Sequence, residues 1–132
     1  VKVTSQACPL FVPLAEEGWT DTEATKLIAE EYLSDLKKTR VDTLILGCTH
    51  YPLLKNIIQE TLSAEVKIVD SAYAMATNTL NELENNNLLT DRRARGDLKL
   101  FVSDLPARFE VVAKRFLGED ISNVEKIHLD TI

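Results

Sequence analysis

A thiol, a hydroxyl and an imidazole stand side by side at Cys48, Thr49 and His50. All three can move a proton or receive an anion. A free cysteine titrates near 8.5, so modest stabilisation of its anion makes it a usable base around neutral pH. The setting favours that use. The apolar run VDTLILG (residues 41–47) precedes the thiol as a short strand, and Pro52 opens a helix soon after it. Cys48 is thereby expected at a strand's C-terminal end, near the unpaired N–H groups of a helix start, where the thiolate is stabilised. A cysteine without context is more often a small buried hydrophobe, but this strand-to-helix position turns the balance towards chemistry. Thr49 offers a hydroxyl and a backbone N–H to a carboxylate, and it could equally cap the helix. His50 is a candidate proton carrier, its plainer role being a hydrogen bond to a neighbouring loop. A local Cys48–His50 nucleophile–base pair is not expected, because residues two apart on a helix do not face each other.

The elements that must carry these residues follow from periodicity. The opening residues 1–11 read as a strand end running into a loop at residues 8–18. Thr20 and Glu23 have capping-box spacing, and a helix is expected over residues 21–38 with Ala24, Leu27, Ile28, Tyr32, Leu33 and Leu36 towards a sheet. The strand at 41–47 is continuous enough in apolar residues to be buried on both faces. In the helix after Pro52, Leu54, Ile57, Ile58, Thr61 and Leu62 form one stripe. The unit then repeats as strand 66–69, helix 72–85, strand 98–102, helix 105–117 and strand 124–129. Asp70 and Ser71 can cap the first of these helices; Ser103 or Asp104 can cap the second. Phe109, Val112, Ala113, Phe116 and Leu117 should form its buried stripe before Gly118 ends it. Such alternation specifies an α/β fold, a parallel sheet flanked by helices. Right-handed crossovers should bring the strand C-terminal ends to one edge, where ligands bind. Residues 85–96 are polar and expected to be an exposed connection.

Composition closes several doors. The chain has 132 residues and a formal net charge of −6, which offers no footprint for nucleic acid or an acidic membrane surface. The basic runs KKTR and RRAR, at residues 37–40 and 92–95, lie near helix ends and read as solvated cations. No apolar run approaches the roughly 20 residues of a bilayer span, and no signal peptide is visible, so a soluble cytoplasmic chain is expected. Two cysteines are too few for a disulfide framework, and free thiols are expected. Cys8, Cys48, His50 and His128 lack the paired spacings of structural zinc, so no metal is expected. No Gly-rich phosphate loop occurs. The chain starts at Val1 in what reads as mid-element, which points to a fragment.

Three segments carry a specific likeness: LGCTHYPLL (residues 46–54), ACPLFVPLAEEGW (residues 7–19) and VDSA (residues 69–72). Together they resemble the glutamate racemase branch of the aspartate/glutamate racemase family, and the likeness runs through the whole chain as the C-terminal half. The resemblance implies a two-lobed, doubly wound (Rossmann-like) fold. Residues 1–70 would be the remainder of the second lobe, carrying Cys48; residues 71–132 would return to complete the first. It implies interconversion of L- and D-glutamate without a cofactor, by two cysteines on opposite faces of the substrate, supplying D-glutamate for peptidoglycan. Cys48 is then the second cysteine, Thr49 and His50 bind or assist at the substrate, and one of Glu16 and Glu17, preferably Glu16, supports the site. Cys8 is read as buried and inert. Inverting an α-carbon needs an acid and a base on opposite sides, which a cleft between lobes provides and one lobe hardly can. A chain with only the second cysteine is therefore expected to be inactive alone. Its unpaired apolar surface is expected to drive self-association or homodimer formation. Aspartate racemase, which usually has Glu where this chain has His50, and a noncatalytic ligand-binding domain are the competing readings.

Overall fold

The computed structural model describes residues 1–119, 121 and 124–128. They fall into two compact units, Val1–Leu88 and Leu89–Ile132.

In the first unit, residues 1–7 are exposed and belong to no strand. The segment expected as a loop contains a helix, α1 (Phe11–Glu17), closed by Gly18 in the left-handed conformation. Pro13 is its third residue. The first turn of a helix has no intrahelical use for its N–H groups, so proline is tolerated there and does not break the helix. Helix α2 (Glu23–Thr39) is capped by Thr22, whose hydroxyl accepts from Thr25 N–H, and not by Thr20. Its buried face is Thr25, Ala29, Leu33 and Leu36, flanked by Ile28 and Tyr32. Ala24 lies outside, and Leu27 is 57% exposed. The stripe is thus rotated from the one expected, centred on the fully buried small residues Thr25 and Ala29.

Strand β1 (Thr43–Leu46) pairs in parallel with β2 (Lys67–Asp70), Leu44 opposite Ile68 and Leu46 opposite Asp70. The expectation of burial on both faces fails. Leu44 and Leu46 turn inwards while Ile45 is 72% exposed, since the core clothes one face only. Between the strands lie a 3-10 turn (Tyr51–Leu54), with Pro52 in its first positions, and α3 (Lys55–Leu62). Leu54, Ile57, Ile58, Thr61 and Leu62 are all buried, as their spacing requires. Helices α2 and α3 pack on each other, and with Phe11, Ala15 and Leu46 they make one continuous core. Helix α4 (Ser71–Asn85) follows; Asp70 Oδ1 caps it by accepting from Tyr73 N–H at 2.9 Å. No residue of α4 is buried.

The second unit begins with exposed residues that link to β3 (Leu100–Val102). After α5 (Pro106–Leu117) the chain enters β4 (Val124–Lys126), parallel to β3 with Val102 opposite Lys126. Neither Ser103 nor Asp104 caps α5. The N-cap position is Leu105, whose own N–H is taken by Asp104 Oδ1 at 2.9 Å. Gly118 ends the helix in the left-handed conformation as expected. Of the expected buried stripe only Ala113 is buried; Phe109, Phe116 and Leu117 are 37%, 41% and 50% exposed. Arg95 pairs with Glu119, holding that carboxyl below its ordinary range by a hydrogen bond. The expected end of the last strand, Leu129, lies outside the described residues.

The fold class is therefore α/β with parallel strands flanked by helices, the strands forming two separate pairs among the described residues. Each pair is parallel, so within it the two strand C-terminal ends lie at one edge. No described helix is long and apolar enough to cross a membrane.

Candidate active site

Strand β1 ends at Leu46, and Gly47 leads into a turn at residues 48–50 that precedes the 3-10 turn. The local geometry differs from a strand running into an α-helix. Tyr51 N–H donates to the Cys48 carbonyl at 3.2 Å and Leu53 N–H to that of His50 at 3.1 Å, so the chain tightens over one turn before α3 begins. Thr49 does not cap it: the residue preceding the 3-10 turn is His50, which makes no capping side-chain bond.

This turn brings Cys48 and His50 together. Cys48, half-buried, has its Sγ 3.9 Å from His50 Nδ1. The expectation that these side chains diverge is corrected here, since it assumed helical spacing where the backbone is a turn. The opposite ring nitrogen, His50 Nε2, lies 3.4 Å from Glu16 Oε1, with both side chains about three-quarters covered. Glu17 is exposed. The helical form of residues 11–17 separates the two: Phe11 and Ala15 are in the core, Glu16 is partly covered at its margin and Glu17 lies outside. Thr49, exposed, places Oγ1 3.4 Å from His50 Nδ1, on the same nitrogen that the thiol approaches.

The arrangement has chemical direction. A carboxylate only accepts, so the tautomer with hydrogen on the nitrogen facing Glu16 leaves Nδ1 to face the thiol as acceptor. A proton leaving Cys48 can then rest on the imidazole while Glu16 balances the resulting charge.

Cys8 is buried, unpaired with Cys48 and pushed up by desolvation, which keeps it a neutral thiol. Asp70 is drawn to the same strand edge, Leu46 being its neighbour across the pair. Its carboxyl is held below the ordinary range first by Tyr73 N–H and further by Lys55, whose Nζ is 3.3 Å away.

Sequence reasoning missed Tyr51. Its hydroxyl donates to the Cys8 carbonyl at 3.2 Å, 43 residues away in the chain, and its ring meets Phe11 edge-on at 5.5 Å. Burial, and after it the proximity of Cys8 and Cys48, pushes the phenol up. The only signal was an aromatic residue directly after the Cys-Thr-His sequence.

A cavity of about 580 Å³ runs beneath residues 1–6 along β1 to Gly47 and Tyr51, but it omits Cys48, His50 and Glu16. It is lined by the exposed residues 1–6, by β1 and by core side chains, without a cluster of reactive groups, so the chemistry points to the turn and not to this space. No three His, Cys, Asp or Glu side chains among the described residues converge as metal ligands.

No protein-family model matches the chain. The glutamate racemase of Geobacter metallireducens is 52% identical to it over 130 residues, 98% of this chain and 48% of the relative. That of Syntrophus aciditrophicus is 44% identical over 128 residues, 97% of this chain and 47% of the relative. Two solved structures share the fold closely. Glutamate racemase from Thermus thermophilus in complex with β-chloro-D-alanine has 40% identity and a TM-score of 0.85, covering 96% of this chain and 48% of that one. Glutamate racemase from Francisella tularensis in complex with D-glutamate has 33% identity and a TM-score of 0.86, covering 100% and 49%. The chain spans about half the length of the curated relatives it matches.

Proposed function

Because the chain is homologous over nearly its whole length to half of a glutamate racemase, we propose that it is the C-terminal half of such an enzyme and supplies one of two thiols that invert glutamate at its α-carbon. Cys48 acts on one face of the substrate, as thiolate when it removes the α-proton and as thiol when it returns one. His50 holds the proton that Cys48 releases, and Glu16 fixes and balances the imidazole. Thr49, exposed beside them, offers its hydroxyl and N–H to the substrate carboxylate, which must be gripped for a feebly acidic C–H to ionise. The reading calls for no cofactor: the two thiols carry both proton transfers. The other thiol comes from the other half of the enzyme, and the cytoplasmic role is supply of D-glutamate for peptidoglycan.

The observation that carries this reading is the file of Glu16, His50 and Cys48, with gaps of 3.4 and 3.9 Å, at the end of a parallel strand. The test is exchange of the glutamate α-proton in deuterated water, followed together with optical rotation, for this chain alone and for a protein carrying both halves. Exchange with racemisation is expected only from the latter, and Cys48→Ala should reduce it by about 10²–10⁴-fold, the usual contribution of a positioned acid or base. No exchange by the folded two-half protein, or exchange of aspartate in its place, would overturn the assignment in favour of a binding domain or an aspartate racemase.

The same reading divides the chain into residues 1–70, belonging with the second lobe, and residues 71–132, returning to the first. The absence of buried residues in α4 supports this, since a helix with Tyr73, Met75 and Leu80 turned outwards has its packing partner elsewhere. Alone, the chain should associate with itself through that surface, as a homodimer or larger species. A monomer by light scattering at high concentration would count against this.

A further inference from the structure

The three side chains of the candidate relay come from two segments, since Glu16 is on α1 whereas Cys48 and His50 are on the turn after β1. Something must hold the two in register. Phe11, on α1, is almost fully buried, and it meets two tyrosine rings edge-on, each at 5.5 Å: Tyr32 of α2 at 77° and Tyr51 at 86°. Edge-to-face contacts of this kind are directional as well as apolar, so they fix orientation along with distance. Each tyrosine also takes hold of the backbone at the entrance to α1. Tyr32 Oη accepts from Leu10 N–H at 3.3 Å, and Tyr51 Oη donates to the Cys8 carbonyl at 3.2 Å. Their attachments differ. Tyr32 ties α1 to the scaffold helix α2; Tyr51 ties it directly to the turn, because its own N–H is bonded to the Cys48 carbonyl at 3.2 Å.

We propose that Tyr51 is a positioning residue: by its hydroxyl on the Cys8 carbonyl and its ring on Phe11 it fastens α1 to the Cys48–His50 turn and so keeps Glu16 in reach of His50 Nε2. The inference rests on the reading of Glu16, His50 and Cys48 as a proton relay, while its geometry is independent of the substrate. It also gives a purpose to buried Cys8, whose carbonyl, and not its thiol, is the group used. Because burial pushes the phenol up, Tyr51 remains a protonated donor wherever a thiol could titrate.

The experiment measures alkylation of Cys48 by iodoacetamide at one pH near neutrality, in a Cys8→Ala background so that a single thiol reports. The rate is taken for Tyr51→Phe, Glu16→Gln, the double variant and Tyr32→Phe, with melting temperatures recorded alongside. Glu16→Gln alone should slow alkylation, and Tyr51→Phe should slow it comparably, about threefold to tenfold, in the lower part of the range of coupling between groups in one network. In the double variant the second change should add little, because Glu16 has already lost its hold on His50. Tyr32→Phe should lower the melting temperature yet leave the rate and the effect of Glu16→Gln unchanged. Independent effects of Tyr51→Phe and Glu16→Gln, or a Tyr51→Phe variant that melts lower with an unaltered rate, would overturn the proposal. Alkylation involves no amino-acid substrate, so that result is separable from failure of the racemase reading, which only the exchange of the glutamate α-proton decides.

Discussion

Helices α3 and α5 have similar sequence patterns and opposite fates. Both follow a strand, both have proline at or just before their start, and both have an apolar stripe at helical spacing. The stripe of α3 is closed over by α2 and β1 and becomes the core. On α5 only Ala113 is covered, while Phe109, Phe116 and Leu117 keep much of their surface in solvent. Periodicity thus specifies which side of a helix wants a partner, but not whether the partner is present. Burial, and with it the hydrophobic contribution to stability, depends on a second surface.

The contrast sets an order of effects. Leu54→Ala, emptying a site with no exposure, should destabilise the protein by about 2–5 kcal/mol, read as loss of denaturation midpoint. Thr22→Ala removes the hydroxyl that accepts from Thr25 N–H and should cost about 1 kcal/mol in the same assay. Asp70→Asn should have a smaller effect, and one that depends on pH. Tyr73 N–H and Lys55 lower the folded carboxyl's pKa below its unfolded value, so its contribution is present above the unfolded value of about 3.9 and fades as pH falls through the folded one. Melting curves of the two proteins should therefore differ at pH 6 and converge towards pH 2. A gap that widens in acid would contradict the bonding described for Asp70. The smallest change is expected for Leu117→Gln, within about 0.5 kcal/mol, as for other surface substitutions. If Leu117→Gln cost as much as Leu54→Ala, the difference between the two helices would vanish.

The same contrast explains what could be read from residues alone. The α3 stripe, the Gly118 stop, the Asp70 cap and the strand–turn–helix around Cys48 follow from local chemistry: spacing, a glycine able to adopt positive φ, a carboxylate beside open N–H groups. Helix α1 was hidden by Pro9 and Pro13, which look like breakers until the position of Pro13 within the first turn is known. The choice of Thr22 over Thr20 as cap turns on where the chain leaves Trp19, whose carbonyl is bonded by Thr25 Oγ1. At the candidate site, Cys48 and His50 were legible as residue types but not as a contacting pair, because two-residue spacing separates side chains on a helix and can join them on a turn. The Glu16–His50 and Tyr51–Cys8 contacts span 34 and 43 residues, and no local pattern encodes them.

Strand β1 lies beside β2 with Leu46 opposite Asp70 and with Leu44 and Leu46 facing inwards. That ladder makes the location of the Cys48 turn a matter of whole steps. Sliding by one residue would displace the turn by about 3.3 Å and would also swap the faces, sending Ile45 into the core and Leu46 out of it. Intermediate placements have no hydrogen-bond pattern to occupy. The thiol's coordinate along the sheet is accordingly counted, not tuned, and a folding error there would yield a molecule with no site at all in place of one that works poorly.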